Sequence, residues 1–297
     1  MQKLRRVGLE TGELTDEETK YVDTEIVQTV YPLLIGRQVF PIKRLPDAGF
    51  LTNEFYKETD MGQATISMTG ETQSRDRIVL SENTVKIPVL SKDFKLHWRD
   101  VIAARRRREG LDLASVRNAA RQVAEEEDKL LLSGEYTGWA ALGIEGLSTA
   151  TGRNTEASAG AWSTIANIIA DIKDAIEELV TDGYYGPYAV IVRPTQYVAM
   201  LAQLTSTAES VLTYVKENLL GGKGDVLISA NLYSSAGGTD SGLVTQPGAD
   251  NFDIIVGQDV TNYLVQDEDM NTLGKVYEVL SPRVKRAESI CEITGIT

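Results

Sequence analysis

The sequence predicts an α+β protein, and three observations carry that expectation. Residues 111–133 repeat apolar side chains at helical spacing, residues 52–88 switch to a period of two, and residues 163–204 run helix, tight turn, strand, helix. A closing series of short strand patterns follows them, so helices and strands are segregated rather than strictly alternating.

Thr15 and Glu18 form a capping box at the first helix, and Val22, Ile26 and Val30 follow on one face before Pro32 stops it. Such a helix suits a core, and equally an arm that packs on a neighbour or holds a guest peptide. Residues 35–42 read as a strand with Pro41 near its end, and residues 45–49 as a loop.

Residues 65–69, 77–80 and 84–89 alternate polar and apolar side chains around polar tips at 70–76 and 81–83. With so few large hydrophobic residues, a hairpin of this length cannot stand alone in water. A second surface must cover it, and in the absence of a second domain that surface belongs to a neighbouring subunit. Residues 94–98 alternate like a further strand. His97, the one histidine, has neither a second histidine nor a cysteine at ligand spacing, which argues against a metal site. Arg105, Arg106, Arg107 and Arg108 are the one basic cluster; they suit a polyanionic contact, or a solvated face and inter-subunit ion pairs.

The helix over 111–133 has Asp112 as its expected N-cap and Gly134 as its C-terminal stop. Val116, Ala119, Ala120, Val123, Leu130 and Leu131 mark its buried stripe, with Arg117, Arg121, Glu125, Glu126 and Asp128 on the other side. The acidic run 125–128 points in several directions on a helix, so it reads as solvated or paired to a neighbour rather than as a chelate. Residues 163–180 form a second strong helix, 189–192 a buried strand, and 194 to about 204 a third helix with Pro194 near its start. Residues 221–225 lack the spacing of a phosphate loop and read as a turn, and 234–242 as an exposed loop. Residues 252–256, 263–265, 275–280 and 287–293 are the closing strands.

A content of 42% hydrophobic residues supplies a core without disulfides, and Cys291, the single cysteine, reads as a buried, inert thiol. No apolar run is long enough to span a membrane, and the first residues lack the apolar centre of a signal peptide, so synthesis in the cytosol is expected. Net charge is −13, unevenly placed: residues 1–110 hold 18 Lys and Arg against 17 acids, and residues 135–280 hold 6 against 19. That acidity disfavours wrapping of nucleic acid. A nucleophile with its base is also missing, since only His97 could serve the usual arrangements. What remains is a protein that works by assembling.

The order of these elements over nearly the whole chain resembles the HK-97-like capsid fold of tailed viruses, which encapsulin (linocin-like) shells share. Residues 123–128, 143–146, 183–188 and 252–259 are similar to the encapsulin pattern. Residues 58–62, 67–70, 75–77, 87–94, 103–106 and 152–154 are similar to major capsid proteins of tailed viruses and proviruses. The resemblance implies an N-terminal arm and first P-domain part at 1–51 and an E-loop at 52–88. It further implies a P-domain with a long spine helix at 89–137, an A-domain at 138–257 and P-domain return strands at 258–297.

By the same resemblance Met61, Ile66, Met68, Arg75, Arg77 and Ile78 would reach over the adjacent subunit, and Val116, Val123 and Leu130 would hold the spine. Val22, Ile26 and Arg105 to Arg108 would be interior, cargo or ion-pair contacts. The implied function is a self-assembling icosahedral shell protein, not an enzyme, without cofactor or metal. Its partners would be itself, in pentamers and hexamers, with portal, scaffolding or decoration proteins. The first reading is a major capsid protein enclosing DNA in a virion assembled in the host cytoplasm. The alternative is an encapsulin, a cytoplasmic nanocompartment around a cargo enzyme; neither reading involves a membrane.

Overall fold

Residues 14–58, 64, 66–69, 77–134, 142–204, 209–234, 238 and 240–296 are described by the computed structural model. The first helix, α1 (Asp16–Val30), starts on the expected capping box: Thr15 accepts from the Glu18 amide and Glu18 accepts from the Thr15 amide. A 3-10 turn (Tyr31–Leu33) carrying Pro32 ends it. The strand expected over 35–42 is instead a single helical turn, α2 (Gly36–Val39), followed by the short strand β1 (Ile42–Arg44). The cause is tertiary. The Asp128 carboxylate takes the Gly36 amide at 2.8 Å and the Ile35 amide at 3.3 Å, and a Cβ on Gly36 would sit 2.5 Å from Leu131 Cδ1.

Strands β2 (Thr52–Glu58) and β3 (Leu80–Lys86) pair antiparallel as a two-stranded ribbon. Residues 66–69 and 77–79, read as strand from their alternation, lie outside the pairing; with no sheet neighbour, alternation alone does not make a strand. Strand β4 (Val89–Leu96) ends sooner than expected, because Trp98 begins the helix α3 (Trp98–Arg107), its amide held by Asn271 Oδ1. The long helix α4 (Ala114–Ser133) starts two residues after Asp112, whose carboxylate accepts from the Ala114 amide. It stops at Gly134, where φ is +62° and a Cβ would lie 2.4 Å from the Gly146 amide nitrogen.

Strand β5 (Asn154–Ala157), helix α5 (Ile165–Thr181), strand β6 (Ala189–Val192) and helix α6 (Pro194–Met200) follow. The expected third helix is thus shorter at its end. A further helix, α7 (Val211–Tyr214), continues into a π turn (Val215–Leu219), with Ser210 capping through the Thr213 amide. Strands β7 (Asp225–Ile228), β8 (Ser241–Thr245), β9 (Phe252–Gln266), β10 (Thr272–Val284) and β11 (Ile290–Thr294) close the chain.

The fragments expected at 252–256 and 263–265 are one strand, β9, which runs through residues 257 and 258 without a break. Register shifts against β10 between Tyr277 and Leu280 explain the misreading, since bulges interrupt a period of two. The boundary drawn at 257/258 therefore falls inside a strand, and β11 belongs to a different sheet from β9 and β10.

One sheet has the order β1-β9-β10-β4, the other β5-β11-β8-β6-β7. Helix α4 packs on β4 and β10, and α1 lies on α4. The apolar run of β6 serves two cores at once. Ala189 and Ile191 join the core of α1, α4 and the first sheet, while Val190 and Val192 join that of α5 to α7, as side chains alternating across a sheet must.

Candidate functional site: an open helix face, a projecting ribbon and a buried carboxylate cluster

A single apolar stripe can face only one way, and α4 takes that of α1. Val22 and Ile26 are 0% and 2% exposed and share a core with Val116, Val123 and Leu130, so neither is available to touch a guest as expected. The open side of α1 carries other large side chains, Tyr21, Val27 and Tyr31, with Leu33 just beyond. Arg105 corrects a second expectation. Its ion-pair partner is in its own chain: Nη2 and Nε reach Glu18 at 2.6 and 2.8 Å and hold that carboxyl below its usual range, joining α3 to the first turn of α1. Arg106, Arg107 and Arg108 remain exposed, Arg108 in a left-handed conformation that ends α3 and Arg107 3.8 Å from Glu109.

The ribbon is seated at its root, and the described residues beyond its paired strands are exposed. Phe55, Val85 and Ile87 pack with Ile255 and Val279. Arg283 donates to both Asp253 oxygens at 2.7 and 2.5 Å and to Asn53 Oδ1 at 2.8 Å, and its guanidinium lies 5.8 Å from the Phe55 ring centroid. Toward the tip, Ile66 and Met68 are wholly exposed, and Arg77, Ile78, Val79 and Leu80 are exposed as well. Met61 and Arg75, expected on the same arm, lie outside the described residues.

The acidic run on α4 splits by helix face. Glu125 and Glu126 pair locally with Arg121 and Lys129, but Glu127 and Asp128 are buried, contrary to the expectation of a solvated or inter-subunit face. Arg37 of α2 is the hub. Its Nε and Nη2 grip Glu127 at 2.6 and 3.1 Å, Nη2 also meets Glu278 of β10 at 3.2 Å, and Nη1 meets Asp259 of β9 at 3.0 Å. Arg44 of β1 takes the other Asp259 oxygen at 2.8 Å. Burial works against the charge of Asp259, but the hydrogen bonds from Arg44 and Arg37 outweigh it and hold that carboxyl below its usual range. Burial has the opposite outcome at Asp128, pushing it up to about 7 despite its two amide donors.

This cluster was missed in the sequence, although a signal existed. Glu127 and Asp128 lie one turn beyond Val123 and Ala124, on the stripe that faces the core. His97 and Cys291, the one histidine and the one cysteine, stand apart from this cluster. His97 is exposed at the start of α3, and Cys291 is buried, its thiol pushed up to about 12 by that burial.

The chain's fold is shared with a virus-like particle from Pyrococcus furiosus at a TM-score of 0.72, with 16% identity over 94% of this chain and 98% of that one. The capsid of Myoviridae phage XM1 follows it at 0.66, with 12% identity over 89% and 92%. These likenesses establish an HK-97-like α+β fold. In sequence, the chain is 29% identical over 289 residues to the type 1 encapsulin shell protein EncA of Myxococcus xanthus, covering 97% of this chain and 96% of that protein. It is 30% identical to the diheme-cytochrome-encapsulin shell fusion protein of Kuenenia stuttgartiensis over 77% of this chain, and spans 60% of that longer protein. The Linocin_M18 family, described as encapsulating protein for peroxidase, matches residues 4–280, and with the seated ribbon and the two-sheet body this shows that the chain belongs to that family of encapsulating shell proteins.

Proposed function

We propose that the chain builds a closed protein shell around a guest enzyme, as a cytoplasmic nanocompartment. One observation carries this reading: the relatives matched in sequence along the chain are encapsulin shell proteins, whereas the phage XM1 capsid is matched at 12% identity, a likeness of fold alone. The first expectation, a viral major capsid protein around DNA, yields to its alternative on that ground. The role is structural, and a peroxidase is the guest class that the family's description offers.

Within that reading the ribbon β2–β3 acts as the E-loop. Its wholly exposed Ile66 and Met68, with the part-exposed Ile78, are suited to burial on an adjacent subunit. The body around the five-stranded sheet acts as the A-domain, and the four-stranded sheet with α4 as the P-domain. The open side of α1, with Tyr21, Val27 and Tyr31, acts as the inner wall and takes an apolar tail segment of the guest, in place of Val22 and Ile26. Contacts of this heterologous kind close into rings and then a shell.

Electron microscopy of the protein expressed alone tests the shell, and co-expression with a peroxidase from the same genome tests the guest. Hollow uniform particles that co-purify with the peroxidase, and lose it on Tyr31→Asp without losing their form, are expected. Particles that form only with portal or scaffolding partners and fill with nuclease-resistant DNA would return the viral reading.

A further inference from the structure

The Arg37 cluster holds more carboxyls than its guanidiniums can neutralise. Arg37 contacts Glu127, Asp259 and Glu278 directly, and Arg44 contacts Asp259. If every group were charged, the cluster would carry one uncompensated negative charge. Glu127 and Glu278 are both 0% exposed, so water cannot screen it. An uncompensated buried charge costs several kcal/mol, which a carboxyl avoids by keeping its proton.

The hydrogen bonds show which carboxyl that is. Glu127 is gripped by both edges of the Arg37 fork, and Asp259 is held by two arginines. Glu278 accepts one hydrogen bond, from Arg37 Nη2 to Oε2, and its other oxygen, Oε1, is buried with no hydrogen-bond donor among the described residues. A buried oxygen left without a donor is costly, but a proton on it makes it a donor. Glu127 Oε2 and Glu278 Oε2 accept from the same nitrogen, Arg37 Nη2, at 3.1 and 3.2 Å, which sets the two carboxyls side by side.

We propose that Glu278 keeps a proton that it shares with Glu127, and that this carboxyl pair is a pH-sensitive clamp joining α2 and α4 to β9 and β10, released on the alkaline side. The groups that face the pair are Arg37 from α2, Asp259 from β9 with Arg44 of β1 behind it, and Asp128 on α4, which turns to the amides of Ile35 and Gly36. From β4 the register neighbour is Leu90, which carries no charge. With Glu278 protonated, two guanidiniums meet two carboxylates and the cluster is neutral. Burial and the adjacent Glu127 both act to raise the Glu278 carboxyl well above the usual range. Since the folded state holds this proton more tightly than the unfolded chain, its stabilising effect is full at low pH and is lost as pH rises through the folded value.

The test is infrared difference spectroscopy of the intact assembled protein between pH 6 and 10, with thermal melting at the same pH values. A protonated-carboxyl band is expected at neutral pH, disappearing on alkaline titration. In Asp128→Asn, which removes the other buried carboxyl raised toward neutrality, the band should persist, and adding Glu278→Gln, whose amide still donates to Glu127, should abolish it. Asp128→Asn should then lose several degrees more of melting temperature between pH 7 and 10 than this double variant. Adding Glu127→Gln to Asp128→Asn should also abolish the neutral-pH band by letting Glu278 ionise beside Arg37. Absence of the band from Asp128→Asn, its survival in the Asp128→Asn/Glu278→Gln double variant, or an equal alkaline loss in both proteins would overturn the proposal. If neither glutamine variant folds, the wild-type and Asp128→Asn spectra decide it alone.

Discussion

Arg37 is the residue on which the buried charge of the first sheet depends. Truncating it to alanine leaves Glu127 without its bidentate partner and Asp259 with one arginine instead of two. Removing one member of a buried ion pair costs about 3–5 kcal/mol, so Arg37→Ala is expected to unfold at far lower denaturant than wild type, as circular dichroism would read. A conventional melt would reject this assignment. Asp128 gives a second residue-scale prediction. Its folded value is raised to about 7, so the fold favours its protonated form, and the stability it contributes is lost as pH rises from about 4 to 7. Asp128→Asn should remove that slope, up to roughly 1.4 kcal/mol per pH unit across the interval, when unfolding is compared at pH 5 and pH 7. At this scale the sequence was only half legible. The burial of Val116, Val123, Leu130 and Cys291 followed from periodicity and apolar context, but Glu127 and Asp128 were assigned by charge rather than by helix face. Their partners sit 90 to 93 positions away, a separation at which no local pattern pairs these acids with their donors.

Elements were legible where an apolar stripe and a capping signal coincide. Helices α1, α4 and α5 carry their stripes over 15 to 20 residues, and their existence needed no tertiary information. Helix α2 was hidden because a distant carboxylate, Asp128, supplies its first hydrogen bonds. Helix α3 was hidden because its second half is arginine, with only Val101 and Ile102 buried. Strand β9 was broken up by bulges, since a period of two slips at each inserted residue. The element most exposed to a single change is α4. Val123 is 2% exposed on its core face, and Val123→Asp places an unpaired carboxylate there at a cost of several kcal/mol. Soluble expression should collapse for this variant and survive for Arg121→Asp, two residues away on the exposed side. The ribbon is the opposite case. Its described residues beyond the paired strands, 64, 66–69 and 77–79, contribute no core residue, so replacing residues 62–79 with a short Gly-Ser turn should leave subunits with an unchanged circular dichroism melt that fail to form normal shells.

At the scale of the whole molecule, the acidic charge and the ribbon pull in different directions. Net charge of −13 makes copies repel, and buried pairs such as Asp253 with Arg283 remove one charge of each sign, so they leave that repulsion in place. In the proposed shell, association rests on apolar contact by the ribbon, whose direction is set at its root. Asn53 and Phe55 on β2 are held by one guanidinium, that of Arg283, which Asp253 fixes to the first sheet. A short lever at the root becomes a large displacement at the tip, and in a closed shell that angle determines how copies meet. Asn53→Ala removes one partly buried hydrogen bond, a change of about 1 kcal/mol that the subunit should tolerate, and it leaves the packing of Phe55, Val85 and Ile87 in place. The expected result is a subunit melt close to wild type with a broadened distribution of particle diameters by electron microscopy and light scattering. Uniform particles of wild-type diameter would show instead that the neighbouring subunit, and not the Arg283 joint, sets the direction of the arm.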